Sequence, residues 1–166
     1  MKRLLVLRHA KAERDSTTGR DFDRPLAERG WNDATDVGRA MRERGLCPDA
    51  IIASPAKRVV ETLAALSQGY GPLEPDYDRN VYNASPEMLL DSVRKADDRA
   101  QTLLLVGHNP GLQLLLLDLT RADDRGLRSR IEGKFPTAAL AAVDLAASSW
   151  ADTGEAEGEI VDLILR

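Results

Sequence analysis

The sequence predicts a single α/β domain with a largely parallel central sheet. Three short apolar runs, at residues 3–8, 50–53 and 102–107, precede segments with helical character. Because apolar residues fill these runs without alternation, we expect strands that are buried on both faces. Strands that alternate with helices favour a three-layer α/β/α sandwich, which we expect to span residues 1–166.

The segments between the runs carry signals for helix ends. Ser54-Pro55 and Ser85-Pro86 each place serine as an N-cap and proline at the first helical position, and Asn109 and Pro110 are expected to cap a further helix. Gly45 is a plausible helix stop. The predicted helices cover residues 26–44, 54–67, 85–98 and 109–119. Residues 69–85 are expected to be loop with one short edge strand, 121–134 a solvated loop or helix face, and 138–145 and 160–165 two closing strands.

The composition limits the classes of function. The 166 residues are 43% hydrophobic and 30% charged with a net charge of −4, which excludes a general nucleic-acid footprint and a polybasic membrane patch. No apolar run approaches the ~20 residues of a membrane span, and the first run is shorter than the roughly 7–15 residues of a signal peptide. We therefore expect a cytoplasmic protein. The single cysteine, Cys47, excludes an internal disulfide and a cysteine-based zinc site, and we expect it to be buried.

The two histidines of the chain both follow predicted strands. His9 comes after Arg8 at the end of the first strand, and His108 ends the third. Arg58 lies near the start of the helix that follows the second strand. Ligands bind outside the carboxyl ends of the strands in such a sheet, so we expect these four side chains to converge on one small volume.

Two guanidinium groups and two imidazoles suit a phosphoryl group. The planar fork of arginine matches phosphate oxygens and stays charged at any working pH. A neutral histidine can act as nucleophile and hold the phosphoryl group covalently, while a second, protonated histidine stabilises the group in transfer. Helix N-termini after Ser54 and Asn109 would add N–H donors. This chemistry requires no metal, and the histidines lack a third ligand at a recognisable spacing.

The ordered motifs of the chain resemble those of the histidine phosphatase superfamily. The Arg-His-Gly motif of that family corresponds to Arg8-His9-Ala10, its Ser-Pro-x-x-Arg-x-x-x-Thr motif to residues 54–62, and its later Gly-His to Gly107-His108. The resemblance extends from Arg3 to about Leu145. Within the superfamily, the short chain is similar to the SixA-type phosphohistidine phosphatases, as are the segments 24–30, 82–86, 107–110 and 135–140.

The resemblance implies a phosphoglycerate mutase-like fold and phosphoryl transfer through a phosphohistidine at His9, without metal or cofactor. Arg8, Arg58 and His108 would form the rest of the phosphate pocket. Substrate binding is expected to involve Arg24, Lys11 and Asn109. At the mouth of the pocket Arg24 is the strongest candidate, and Lys11 and Arg20 also fit ordinary surface charges. Ala10 replaces the usual glycine, which leaves the pocket intact unless a positive φ is needed there.

The general acid is the main departure from the family pattern. Many phosphomonoesterases of the superfamily use a glutamate between the second arginine and the second histidine, but residues 76–83 contain none, and Asn80 or a neighbour stands in its place. Loss of proton donation costs about 10²–10⁴-fold with alkoxide leaving groups, whereas the leaving nitrogen of a phosphoramidate is readily protonated. Asp78 and Asp21 or Asp23 are alternative donors, unless they are solvated loop carboxylates.

Three functions remain open on the sequence alone. The first is a phosphohistidine phosphatase acting on a phosphorylated protein, which is favoured mainly by the missing glutamate and also by a short chain without the insertions that cap many pockets. The second is a small-molecule phosphomonoesterase of the same superfamily, acting on a small phosphorylated metabolite. The third is a non-catalytic phosphate-binding module. The sequence leaves the oligomeric state open, and a monomer is compatible with it.

Overall fold

The computed structural model describes residues 1–155 and 157–166, which form one six-stranded mixed sheet covered by helices. The strands are β1 (Lys2–Arg8), β2 (Ala50–Ala53), β3 (Asp76–Tyr77), β4 (Thr102–Gly107), β5 (Leu140–Leu145) and β6 (Glu159–Ile164). The α-helices are α1 (Glu28–Glu43), α2 (Lys57–Tyr70), α3 (Pro86–Arg94), α4 (Gly111–Leu119) and α5 (Leu127–Gly133). This architecture confirms the predicted α/β fold class.

The order of the strands brings three carboxyl ends together. The sheet runs β3-β2-β4-β1-β5-β6, with β1 to β4 parallel to one another and β5 antiparallel to both of its neighbours, β1 and β6. Arg8 of β1 lies opposite Gly107 of β4, and Ala53 of β2 lies opposite Val106 of the same strand. The residues that follow β1, β2 and β4 therefore lie side by side at one edge of the sheet.

The two faces of the sheet explain the unbroken apolar runs. Leu4 and Val6 of β1 pack into a core that includes residues of α3, α4 and α5. Leu5 and Leu7 of the same strand pack on the opposite side, among residues of α1 and α2. Both sets are fully or almost fully buried, because helices cover both faces of the sheet. A strand in such a position needs apolar residues at every position.

Two predicted helix caps are wrong. Helix α2 begins at Lys57 rather than at Pro55, with Ala56 as its N-cap; the Ser54 hydroxyl accepts from the Ala56 N–H at 3.3 Å, ahead of the helix, and lies 2.8 Å from Nε2 of His108. Asn109 does not cap α4 either, because Pro110 is the N-cap residue and Asn109 Oδ1 accepts no hydrogen bond in the described structure, while its Nδ2 donates to the Phe135 carbonyl oxygen at 2.8 Å. The third cap is confirmed, because Ser85 Oγ accepts a hydrogen bond from the Met88 N–H at 3.2 Å.

Other boundaries differ for local reasons. Strand β5 begins at Leu140 rather than Ala138, because Ala138 has a positive φ of 63° and its N–H donates back to the Arg8 and His9 carbonyls. Cys47 is exposed rather than buried, because Leu46 is the residue of this turn that enters the core. Among the residues described, no helix is both long and apolar enough to cross a membrane.

Helices α1 and α2 approach each other closely through glycines. A Cβ atom on Gly38 would lie 2.2 Å from the Leu66 carbonyl oxygen, and one on Gly69 would lie 2.1 Å from that of Thr35. We therefore expect Gly38→Ala to lower the free energy of unfolding by about 2 kcal/mol or more, since the backbones must separate. Urea denaturation measures this change. Gly133→Ala is the matched control, because no atom beyond its chain neighbours and its own helix backbone lies within 4 Å of its added Cβ, and equal effects of the two substitutions would contradict the packing argument.

Candidate active site

A polar cavity of about 330 Å³ lies at the edge where the three strands end. Its lining includes all four residues predicted to form a phosphate pocket and all three predicted to bind substrate. The predicted phosphate-pocket residues are Arg8, His9, Arg58 and His108, and the predicted substrate-binding residues are Lys11, Arg24 and Asn109. Ala12, Asp21, Asn83 and Thr137 complete the lining.

The two imidazole rings are buried neighbours. Their centroids are 5.3 Å apart and the ring planes are inclined by 56°, with only 7% of His9 and 4% of His108 exposed. The backbone N–H of His9 donates to the Gly107 carbonyl oxygen at 3.0 Å. This bond continues the pairing of β1 with β4 beyond the end of β1. The sheet itself therefore fixes the separation of the two rings.

The hydrogen bonding of His9 defines its tautomer. Its Nδ1 lies 2.8 Å from the Ala10 carbonyl oxygen, which can only accept, so the proton is on Nδ1 and Nε2 carries the free lone pair. Burial, together with the smaller effects of the Arg58 and Arg8 charges, lowers the pKa of His9 to about 4. His9 is therefore a neutral ring with an available Nε2 at neutral pH.

His108 is held from the other side of the cavity. Its Nε2 lies 2.8 Å from the hydroxyl of the fully buried Ser54, while its Nδ1 is buried and has no partner among the described residues. Burial, followed by the charge of Arg58, lowers the pKa of His108 to about 3. The ring is thus neutral, in contrast to the protonated second histidine expected from the sequence. A phosphate dianion beside it would raise this pKa.

Both guanidinium groups of the pocket keep unused N–H donors. Arg58 is 3% exposed and donates from Nη1 to the Asp21 carbonyl oxygen at 2.8 Å and from Nη2 to its carboxylate at 3.0 Å. Arg8 donates from Nη1 to the Phe135 carbonyl oxygen at 3.2 Å. The Nε of each arginine is buried without a partner in the described structure. Buried donors of this kind fit an anionic ligand.

Asp21 is the carboxylate of the cavity. It accepts hydrogen bonds from the Tyr82 hydroxyl at 2.7 Å and from Arg24 Nε at 3.0 Å, in addition to those from Arg58. The Tyr82 hydrogen bond, then Arg58 and Arg24, hold the pKa of Asp21 far below its usual range. This low pKa makes Asp21 a carboxylate rather than a carboxylic acid at neutral pH, which argues against the alternative that made it a general acid.

The other two carboxylates considered as donors lie outside the cavity lining. Asp78 accepts hydrogen bonds from the Asn80 N–H and the Ser92 hydroxyl. Asp23 pairs with Arg20 at 2.9 Å. Asn80 also lies outside the cavity, and the neighbour that reaches it from this loop is Asn83. Within residues 1–155 and 157–166, no group of three or more His, Cys, Asp or Glu side chains is arranged to hold a metal ion.

The residues at the mouth differ in how firmly they are held. Arg24 donates to the Glu13 carbonyl as well as to Asp21, whereas Lys11 is exposed. Arg20 lies outside the cavity, in an adjoining groove. Ala10 is fully buried, is not among the residues with positive φ, and donates its N–H to Thr62 Oγ1 at 3.0 Å. Alanine therefore fits where the family has glycine.

The two neutral rings should make the protein sensitive to acid. Their pKa values of about 4 and about 3 lie below the 6.5 of an unperturbed histidine. As the pH falls toward and below 6.5, the unfolded chain therefore binds more protons than the folded protein does. We expect the free energy of unfolding to decrease from pH 6.5 to 5, by at most ~1.4 kcal/mol per pH unit for each ring. Urea denaturation across this range measures the slope. It should be smaller in His9→Asn, and a flat profile in the unsubstituted protein would contradict buried neutral rings.

Comparisons with known proteins agree with this geometry. The profile of the histidine phosphatase superfamily (branch 1) matches residues 4–83. An uncharacterised protein of Mycobacterium tuberculosis H37Rv is 34% identical over 148 residues, which is 88% of this chain and 90% of that protein.

Two solved structures share the fold over almost the whole chain. They are candidate phosphohistidine phosphatases SixA from Agrobacterium tumefaciens and Nakamurella multipartita, each with 28% identity and a TM-score of 0.83. Each alignment covers 99% of this chain, and 98% and 95% of the respective partners. The ordered motifs, the cavity they line and these likenesses place the chain in the histidine phosphatase superfamily, in its SixA-type branch with a phosphoglycerate mutase-like fold.

Proposed function

We propose that this chain is a phosphohistidine phosphatase that works through a covalent phosphohistidine on His9. The observation that carries the proposal is the state of this ring, which is neutral, anchored through Nδ1 to the Ala10 carbonyl and surrounded by guanidinium groups. An uncharged imidazole with a free Nε2 is a nucleophile, and the cationic lining attracts the phosphoryl group toward it.

In the first proposed step, Arg8 and Arg58 hold the phosphoryl oxygens and stabilise the charge that spreads over them during transfer. A bond forms between His9 Nε2 and phosphorus while the phosphorus–nitrogen bond of the substrate breaks. The electron pair of that bond returns to the departing nitrogen. His108 contacts the group in transfer through Nδ1, which has no other partner in the described structure.

In the second proposed step, water attacks the phosphohistidine, phosphate leaves, and His9 Nε2 regains its lone pair. Splitting hydrolysis in this way replaces one difficult displacement with two easier ones. Every charge-stabilising group in both steps is a side chain of this protein. The proposed reaction therefore proceeds without metal or cofactor.

The two candidate substrate classes, phosphohistidine and phosphate esters, differ in their leaving group. The one carboxylate in the described lining is ionised, so the cavity offers no carboxylic acid to protonate an alkoxide. A phosphohistidine ring does not need such a donor, because its second nitrogen can carry a proton already. The likeness to two candidate phosphohistidine phosphatases supports the same substrate class. The proposed partner is therefore a protein phosphorylated on histidine.

The test compares kcat/KM for a phosphohistidine peptide and for the alkyl ester β-glycerophosphate, with a chelator in both assays. We expect the peptide to be preferred by at least about 10²-fold, the lower limit of what proton donation contributes. Equal or better turnover of the ester would identify a small-molecule phosphomonoesterase instead. Binding of inorganic phosphate without turnover of either substrate would identify a binding module, and either result would overturn the proposal.

A further inference from the structure

Asp21 stands at the rim of the cavity. Besides lining the cavity, it lines the adjoining surface groove, together with Arg14, Arg20 and Arg24. Its side chain is 48% exposed, whereas His9 is 7% exposed. The nucleophile and the carboxylate thus differ in depth, with His9 at the buried end and Asp21 toward solvent.

This difference in depth matters for the departing group. In phosphoryl transfer the attacking and leaving atoms lie roughly in line, on opposite sides of the phosphorus. An attack by His9 from the buried end therefore sends the leaving group outward, past the rim. Of the described side chains that line the cavity, only Asp21 is an anion, while Arg8, Lys11, Arg24 and Arg58 are cations.

A negative charge at this position favours one class of leaving group. The ring of a phosphohistidine is cationic when its distal nitrogen is protonated, and that proton can donate a hydrogen bond to a carboxylate. When the phosphorus–nitrogen bond breaks, its electron pair goes to the departing nitrogen, and the ring leaves as neutral imidazole with the proton still on the distal nitrogen. An ester instead develops negative charge on its leaving oxygen, which the same carboxylate repels.

We propose that Asp21 accepts a hydrogen bond from the distal ring N–H of the leaving imidazole and thereby determines the specificity of the site for phosphohistidine over phosphate esters. This role rests on the proposed function of the site and adds a residue that selects the leaving group. It also accounts for the lack of a carboxylic acid among the described residues that line the cavity, because the substrate brings its own proton.

The Asp21 carboxylate has other contacts that could explain its presence, since it accepts hydrogen bonds from Arg58 Nη2, the Tyr82 hydroxyl and Arg24 Nε. A residue that only orders Arg58 would affect all phosphoryl substrates equally, because Arg58 meets the phosphoryl group and not the leaving group. A residue that contacts the leaving imidazole would affect imidazole substrates alone. The ratio of two substrates therefore separates the two roles.

The experiment measures kcat/KM of Asp21→Asn with N-phosphoimidazole and with phenyl phosphate, which share the phosphoryl group and differ in the leaving atom. We expect Asp21→Asn to lower turnover of both substrates through Arg58, and to lower that of N-phosphoimidazole about tenfold or more further than that of phenyl phosphate, the additional effect of losing one charge-assisted hydrogen bond. Asp21→Glu, which retains the charge, should keep the preference for the imidazole. An equal loss on both substrates in Asp21→Asn would overturn the proposal.

Asp23→Asn is the matched control. Asp23 belongs to the same short turn, pairs with Arg20 and lies outside the cavity lining, so its replacement should leave the substrate ratio unchanged. His9→Ala separates this inference from the function on which it rests. Activity retained in His9→Ala would overturn the proposed function, whereas an inactive His9→Ala with an unchanged substrate ratio in Asp21→Asn would overturn only the role of Asp21.

Discussion

The His9→Ala variant is expected to lose roughly 10⁴-fold or more in kcat/KM for a phosphohistidine peptide, as enzymes do when a covalent nucleophile is removed. His108 is not expected to replace it, because its Nε2 is engaged with the Ser54 hydroxyl and its Nδ1 is assigned to hydrogen bonding with the group in transfer. The variant should still bind tungstate, since Arg8 and Arg58 remain. Steady-state kinetics and isothermal titration calorimetry measure the two effects separately.

A loss of tungstate binding together with activity would mean that His9→Ala has damaged the pocket, and thermal unfolding of the variant checks for this. His9→Asn then serves as a second variant, because its amide can keep a hydrogen bond to the Ala10 carbonyl. Activity within about tenfold of the unsubstituted protein in a folded variant would contradict a nucleophilic role.

Arg58→Lys is expected to lower kcat by about 10²–10³-fold, the typical cost of removing one donor aimed at transition-state charge. The side chain is 3% exposed, and its planar fork contacts Asp21 with both terminal nitrogens. Lysine keeps the charge but lacks the fork, so it cannot meet Asp21 and a phosphoryl oxygen in the same way. Kinetics with N-phosphoimidazole measure the loss.

Arg94→Lys is the control for this substitution. Arg94 also donates from two nitrogens to one acceptor, the Thr153 carbonyl oxygen, but it lies outside the cavity lining. We expect this variant to keep its kcat and to lose only stability. An Arg58→Lys variant as active as Arg94→Lys would show that the position supplies charge alone, and the pocket geometry would then carry no catalytic meaning.

The strands were the most predictable part of the fold. The bounds of β2 and β4 agree with the apolar runs 50–53 and 102–107, because strands buried on both faces consist mainly of apolar residues. Helix starts were less predictable. A serine before a proline can cap a helix, as Ser85 does, or can serve a distant partner, as Ser54 does for His108. The local sequence is the same in both cases, and only the tertiary structure distinguishes them.

The candidate site also contains residues that the sequence could predict and residues that it could not. The proximity of residues that follow strands, such as His9 and His108, could be predicted from topology alone, since parallel strands end at one edge of a sheet. The contact between Asp21 and Tyr82 could not be predicted from the sequence. The two residues lie 61 positions apart and meet through a side-chain hydrogen bond. The sequence analysis did not select Asn83 or Thr137 as site residues. Both lie in segments that resemble the family, and this resemblance was the available indication that they belong to the site.

The central claim is that the phosphoryl group rests on His9 between the two steps. The direct measurement is a rapid-quench reaction with phosphorus-labelled N-phosphoimidazole, stopped in alkali and followed by proteolysis and mass spectrometry. We predict a labelled phosphohistidine in the peptide that contains His9, formed and lost at rates compatible with turnover, and absent from His9→Ala. Label on His108, or full turnover with no labelled protein at any reaction time, would contradict the account.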